Sequence, residues 1–129
     1  MTNKKQQGQE AMKSMLAMVC LLAACSCATN QQLGAKLDKA TYWRSQQGEQ
    51  FVARYGALSD DSLRFVKVTM PDGREVTLPQ AISASGARYT DEKDLVWWEH
   101  QGTVRVDVRR EDGKWDENHW ELRPDPQAH

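Results

Sequence analysis

The chain has 129 residues and so holds at most one ordinary domain. Residues 1–24 carry three of the 17 Lys and Arg residues and one of the 18 Asp and Glu residues, which leaves 14 basic and 17 acidic residues and a formal charge of −3 beyond them. This balance lacks the basic footprint of a nucleic-acid-binding domain and argues against that class. It suits a cationic partner through long-range electrostatic steering.

The first element is an apolar run close to the N-terminus. Lys4, Lys5 and Lys13 precede the charge-free segment 15–24, which is well short of the roughly 20 residues that cross a bilayer. A basic region, a short apolar region and small residues at its end are typical of a secretory signal, so residues 1–24 are predicted to be a signal peptide. A buried core helix is less favoured because the run has no polar face.

Leu22-Ala23-Ala24-Cys25 resembles the lipobox of bacterial lipoproteins, in which cleavage occurs before a cysteine that is then acylated. The resemblance implies lipidation, including palmitate, at Cys25, and two or more acyl chains give stable membrane attachment. Ser26 in the next position fits sorting to the outer membrane. We therefore expect an envelope protein anchored in the outer membrane on the periplasmic face, with residues 25–40 as a polar tether.

Cysteine usage leaves the exported part without an internal disulfide. Cys20 lies in the predicted signal, Cys25 is the predicted lipid site, and Cys27 is the last cysteine of the chain. An exported domain is free to form disulfides, but no pair is present from residue 28 onward. Packing must therefore hold this domain together.

From residue 41 onward the chain shows the period-two alternation of β-strands and no helical stripe. Phe51, Ala53 and Tyr55 share one face of a strand, and a valine stripe within 104–108 marks the cleanest one-sided strand. Turn signals separate such strands at intervals of roughly ten residues, as in Pro71-Asp72-Gly73. The pattern predicts an all-β fold, a small antiparallel β-barrel of about eight strands over residues 41–123, with 124–129 as a tail. The five tryptophans are expected to be core and strand-pair residues.

No constellation of residues points to catalysis or to a metal. Ser85 and His100 could act as nucleophile and base, but a third, orienting acid is missing and there is no G-x-S-x-G motif, so a serine hydrolase is the weakest interpretation. The three histidines lack metal-ligand spacing. The acidic pairs lie near turn signals and are interpreted as solvated loops. The residues alone indicate a binding or structural module, with no enzyme activity, metal or cofactor expected.

One segment nevertheless carries a family resemblance. Ser83-Ala84-Ser85-Gly86-Ala87-Arg88-Tyr89, followed by the Val-Trp-Trp strand at 96–98, resembles the membrane-bound inhibitors of c-type lysozyme of Gram-negative bacteria, whose signature is S-G-x-x-Y and then a tryptophan. The resemblance covers roughly residues 41–110 and implies an eight-stranded barrel that inserts its Ser-Gly loop into the lysozyme cleft. It makes c-type lysozyme the expected protein partner and implies a lysozyme-binding set of six residues: Ser85, Gly86, Ala87, Arg88, Tyr89 and His100.

Two departures from the family pattern bear on that function. The family usually supplies a lysine after the tryptophan, and this position falls on Glu99 or on His100, depending on one inserted residue; a protonated His100 could replace part of its role and is favoured. The family's disulfide is also missing, because Ser45 stands at one end and segment 120–123 at the other. A surface adhesin or envelope-assembly lipoprotein on the same barrel is therefore the alternative.

Overall fold

The computed structural model describes residues 32–128, and the predicted signal peptide and lipid site lie outside these residues. Every regular element within them is a β-strand, and none is a helix long and apolar enough to cross a membrane. The strands are β1 (Ala35–Leu37), β2 (Thr41–Ser45), β3 (Gln50–Leu58), β4 (Arg64–Thr69), β5 (Glu75–Ala81), β6 (Ala87–Thr90), β7 (Leu95–His100), β8 (Thr103–Arg109) and β9 (Trp115–Pro124).

Strands β2 to β9 close into an antiparallel barrel, which confirms the predicted all-β fold and strand count. Each strand pairs with its neighbours in chain order, and the circle is completed where β2 pairs with both β3 and β9. Closure leaves no unpaired sheet edge among these eight strands. Because neighbouring strands run in opposite directions, β1, the β3–β4 turn, the β5–β6 loop and the β7–β8 turn all lie at one end of the barrel, called the loop end below.

Strand β1 lies within the segment predicted to be a polar tether. It pairs with the last residues of β3, through Ala35 with Leu58 and Leu37 with Gly56, and so prolongs the wall begun by β2. The sheet therefore includes residues 35–37, which precede residue 41, the predicted start of the barrel domain. Three residues are too few to show an alternating pattern, so this strand could not be predicted from periodicity.

Alternation along the strands builds the core as predicted. The inward side chains of β3, β7 and β8 include Phe51, Trp97, Val104 and Val106, and all four are fully buried. Trp43 and Trp97 meet edge to face at 6.3 Å between ring centroids. Trp120 packs on this cluster and donates its indole N–H to Glu49 at 2.6 Å.

The two other tryptophans are strand-pair residues on the outer surface. The Arg105 guanidinium lies 4.5 Å from the Trp98 ring centroid, and Arg109 lies 5.3 Å from that of Trp115. Both arginines face their tryptophan across a strand pair. Such cation–π contacts at half-exposed sites contribute about 0.5–1 kcal/mol each.

The positions that correspond to the family's disulfide lie side by side in the barrel. Ser45 is the strand partner of Leu122, and both side chains are buried. Leu122 belongs to the main hydrophobic cluster. The Ser45 hydroxyl accepts the Glu49 main-chain N–H at 3.1 Å, so a buried hydrogen bond on β2 and apolar packing of Leu122 on β9 meet at this place.

Candidate functional site

The β5–β6 loop, residues 82–86, is fixed by hydrogen bonds to the main-chain carbonyl of Ser85. The Ser83 hydroxyl donates to that oxygen at 2.6 Å, and the indole Nε1–H of Trp98 donates to it at 2.9 Å. Ser85 itself is exposed, and within residues 32–128 the structure gives its hydroxyl no hydrogen-bond partner. The loop thus presents a free hydroxyl on a backbone that is held in place.

Gly86 allows this loop to approach strand β7 closely. Its φ is +67°, a left-handed conformation that side-chain-bearing residues adopt at a cost. A Cβ at this position would collide with the carbonyl oxygen of Glu99 and would lie 3.0 Å from Trp98 Nε1 and 3.1 Å from His100 Cβ. Only glycine fits here without displacing backbone.

Tyr89 lies at the base of the loop with its side chain in the barrel interior. It is 7% exposed, and its ring centroid is 5.7 Å from that of Tyr55. Burial raises the pKa of the Tyr89 phenol, the nearby Glu99 carboxylate raises it further, and Arg64 lowers it in part. Tyr89 therefore meets the core and not the solvent.

Ala87 and Arg88 complete the short strand β6. Ala87 pairs with Glu99 and is half-buried. Arg88 pairs with Trp98 on the outer surface, and its Nη1 lies 3.0 Å from the Glu92 carboxylate. The Arg88 charge is thus already matched by a neighbouring acid.

Glu99 and His100 point to opposite sides of the barrel wall because successive strand residues alternate. Glu99 shares the inward face of Trp97, near the Tyr55 phenol, whose pKa is raised first by burial and then by this carboxylate. Tyr55 also accepts a hydrogen bond from Trp97 Nε1 at 3.2 Å. His100 shares the outward face of Trp98, with ring centroids 6.4 Å apart. Of the two residues at the family's lysine position, His100 is the one on the face of Ser85.

Ser85 and His100 line a common outer groove on β7, β8 and β9 with a volume of about 460 Å³. Its other lining residues are Trp98, Thr103, Arg105, Asn118 and Glu121. A second cleft, of about 470 Å³, opens next to this groove at the loop end of the barrel. Its lining includes two acidic residues, Asp38 and Glu99. The structure thus brings together five of the six predicted residues around β6 and the end of β7, while Arg88 faces Glu92.

Trp98 and Arg105 also line this groove. The family signature leaves its tryptophan at Trp97 or Trp98, and Arg105 is not predicted from the sequence. Arg105 is held by the buried carboxylate of Asp107, to which its Nη2 donates at 3.1 Å. Asp107 is 5% exposed and also accepts the main-chain N–H of Asn118 at 2.7 Å. The sequence feature that could have predicted this pair is the two-residue turn Gln101-Gly102, which has positive φ at both positions. A hairpin with a turn of that length sets Trp98 opposite Arg105.

No metal site accompanies these residues. Within residues 32–128 no three His, Cys, Asp or Glu side chains converge to hold an ion. No hydrogen bond joins Ser85 to His100 in this part of the chain, so the pairing required of a nucleophile and its base is not formed. The site offers a surface for binding.

Comparison with known proteins yields one match. The sequence model of the family described as "Membrane-bound lysozyme-inhibitor of c-type lysozyme" matches residues 43–115, more than half of the chain. No curated protein and no solved structure matches the chain. The matched range contains the Ser85 loop, Tyr89, Trp98 and His100. The chain therefore belongs to the family of membrane-bound inhibitors of c-type lysozyme.

Proposed function

We propose that this protein inhibits c-type lysozyme by placing the Ser85-Gly86 loop in the catalytic cleft of the enzyme. The observation that carries the proposal is the exposed Ser85 hydroxyl on a loop whose carbonyl already accepts two hydrogen bonds. A loop held in its binding conformation loses little conformational entropy on association. Membership of an inhibitor family agrees with this role.

The chemistry of the target supports the same residue. A lysozyme cleaves its substrate with two carboxyl groups that flank the scissile bond. A serine hydroxyl donates to an ionised carboxylate in a short, charge-assisted hydrogen bond. Ser83, Ala84 and Gly86 add no charge and little volume, which suits insertion into a narrow cleft.

His100 is proposed to supply the cation that faces the same carboxylates. It lines the groove with Ser85, whereas the side chain of Glu99 is directed to the barrel interior. An imidazolium attracts the enzyme's acids, and the neutral imidazole does not.

The test is lysis of a peptidoglycan suspension by hen or human lysozyme in the presence of purified residues 28–129. The wild-type protein should suppress lysis, and Ser85→Ala should weaken suppression by about tenfold to a hundredfold, as expected for one charge-assisted hydrogen bond of about 1.5–3 kcal/mol. Ser62→Ala, at an exposed serine in another turn, is the matched control. Full lysis at micromolar protein would falsify the proposal and favour the adhesin or envelope-assembly alternative.

Substitution of His100 separates its role from that of Ser85. His100→Ala should weaken inhibition, and His100→Lys, which restores the family's cation, should preserve it. His119→Ala, at a histidine outside the groove, should leave inhibition unchanged. Equal inhibition by His100→Ala and the wild type would remove His100 from the mechanism while leaving Ser85 in place.

We also propose that Cys25 is acylated and anchors the protein at the outer membrane on its periplasmic face. The family's description as membrane-bound supports association with the envelope, and the lipobox supports this means of attachment. Incorporation of radiolabelled palmitate that is lost in Cys25→Ala would be the expected result. Labelling that persists in Cys25→Ala would contradict it.

A further inference from the structure

An apolar band lies on the outer surface of the barrel wall formed by β1, β3, β4 and β5. Leu37, Gly56, Phe65 and Pro79 are strand partners in one row across these four strands. Phe65 alternates with the inward, fully buried Val66, so this row faces outward. The band as defined here comprises Leu33, Ala35, Leu37, Leu58, Leu63, Phe65 and Pro79.

Gly56 brings the members of the band into contact. A Cβ at Gly56 would lie 2.8 Å from the Phe65 ring and 3.0 Å from Leu37 Cδ2, so both side chains rest on its backbone. The next row contains Leu58, which pairs with Ala35 and donates its N–H to the Leu63 carbonyl at 2.9 Å. These contacts make the apolar surface continuous.

The band includes most of the large hydrophobic side chains that the described part of the chain exposes. Leu33, Leu37 and Leu63 are 55%, 46% and 41% exposed, and Ile82 at the start of the Ser85 loop is the fourth such residue within residues 32–128. Large side chains clustered in this way mark an interaction surface, unlike scattered ones. Two cations, Arg54 and Lys67, are strand partners on the same outward face and border the band, and Lys67 also pairs with Glu75 at 2.9 Å.

The location of the band in the chain indicates its partner. Leu33 follows Cys25 by eight residues, a segment that spans at most roughly 28 Å when fully extended. A lipid on Cys25 would therefore keep the band close to the bilayer surface. Apolar side chains bordered by Lys and Arg suit such a surface, since the cations attract anionic headgroups. Asp60 and Asp61 oppose this attraction in part and lie at the tip of the β3–β4 turn.

The band and the outer groove occupy opposite walls of the barrel. In the circular order of eight strands, β3 and β4 stand four strands away from β7 and β8. The groove with Trp98, His100 and Arg105 lies on the latter strands. A barrel resting on its band would turn the groove away from the membrane.

We propose that the apolar band lies on the lipid bilayer and orients the anchored barrel so that its lysozyme-binding groove faces the aqueous space. This inference rests on the proposed acylation of Cys25. The lipid supplies attachment, and the band supplies orientation. The lipid and the band together hold the barrel in one orientation on the membrane, whereas the lipid alone would leave the barrel free to rotate.

The test uses the acylated full chain, carrying Cys27→Ser, reconstituted in vesicles of phosphatidylethanolamine and phosphatidylglycerol with nitroxide-bearing lipids. A bimane label on Leu63→Cys, within the band, should be quenched several-fold more strongly than one on Glu111→Cys, in the β8–β9 turn of the opposite wall. Leu37→Glu should reduce this difference, and Thr77→Glu, outward on β5 but outside the band, should preserve it. Near-ultraviolet circular dichroism confirms that each variant is folded.

The outcomes separate this inference from the proposals on which it rests. Absence of palmitate from the purified chain would overturn the anchor and the orientation together. Equal quenching at positions 63 and 111 in an acylated chain would overturn only the orientation. Dimers in size-exclusion chromatography without vesicles, if Leu37→Glu dissociates them, would assign the band to a second copy of the chain and also overturn the orientation.

Discussion

At the scale of single residues, position 86 accepts only glycine without a shift of the backbone. Gly86→Ala should lower inhibition about tenfold or more, because the new methyl group meets the Glu99 carbonyl and must move the loop that carries Ser85. We expect a loss of stability of about 1–3 kcal/mol, measured by urea denaturation. Gly113→Ala is the matched control, since Gly113 has a φ of +78° with nothing within 4 Å of an added Cβ. Equal inhibition by both alanine variants would contradict the close packing of loop and strand.

The buried phenols give a second residue-scale prediction, on stability at high pH. Burial and Glu99 raise the pKa of Tyr55 and of Tyr89 above the unfolded value of about 10. The folded state therefore binds these protons more tightly, and the stabilisation present below pH ~10 is lost as the pH rises above it. The free energy of unfolding, measured by urea denaturation, should fall in that range by up to about 1.4 kcal/mol per pH unit for each tyrosine.

Substitution of one phenol checks the origin of this decline. Tyr55→Phe should make the fall above pH ~10 less steep, at the cost of the hydrogen bond that Trp97 Nε1 donates to the Tyr55 hydroxyl. A wild-type midpoint that stays constant through this range would show that the phenols ionise alike in the folded and unfolded chains.

The residues themselves predicted some of this site and not the rest. Ser85, Gly86 and Tyr89 follow from the family signature. The structure places Ser85 at the exposed tip of the loop, Gly86 where the loop backbone approaches β7, and Tyr89 in the core. The choice between Glu99 and His100 needs the register of β7, since a shift of one residue exchanges the inward and outward faces. The signature does not decide between Trp97 and Trp98, and Arg105 carries no motif, so their roles depend on which strands the hairpin places together.

At the scale of elements, strand β7 supports the loop through one side chain. Trp98→Phe should keep the outward aromatic ring while removing the N–H that donates to the Ser85 carbonyl at 2.9 Å. The loss of one hydrogen bond of about 1 kcal/mol should weaken inhibition about fivefold and lower the free energy of unfolding by about the same 1 kcal/mol. Inhibition constants from the lysis assay measure the effect.

Trp115 offers a matched control for this substitution. It is also half-exposed and stacked by an arginine, but it begins β9 at the end of the barrel away from the Ser85 loop. Trp115→Phe should leave inhibition unchanged. If both variants inhibit equally well, the indole of Trp98 does not position the loop.

At the scale of the whole molecule, alternation and turn chemistry were enough to predict the barrel. Strands of five to ten residues carry a visible period-two pattern, and turns such as Pro71-Asp72-Gly73 set the hairpins between them. Closure through β2 and β9 and the pairing of β1 are long-range contacts that no local pattern encodes. The opposition of band and groove also follows from closure, which is why neither could be recognised before the strands were ordered.

The central claim is that the Ser85 loop occupies the substrate cleft of c-type lysozyme. Its most direct test is binding of the purified protein to hen lysozyme, followed by titration calorimetry, with and without a saturating chitin oligosaccharide in the cleft. Competition is predicted: the oligosaccharide should raise the apparent Kd in proportion to its own occupancy, and Ser85→Ala should raise it further. Binding of unchanged affinity in the presence of the oligosaccharide would contradict the account.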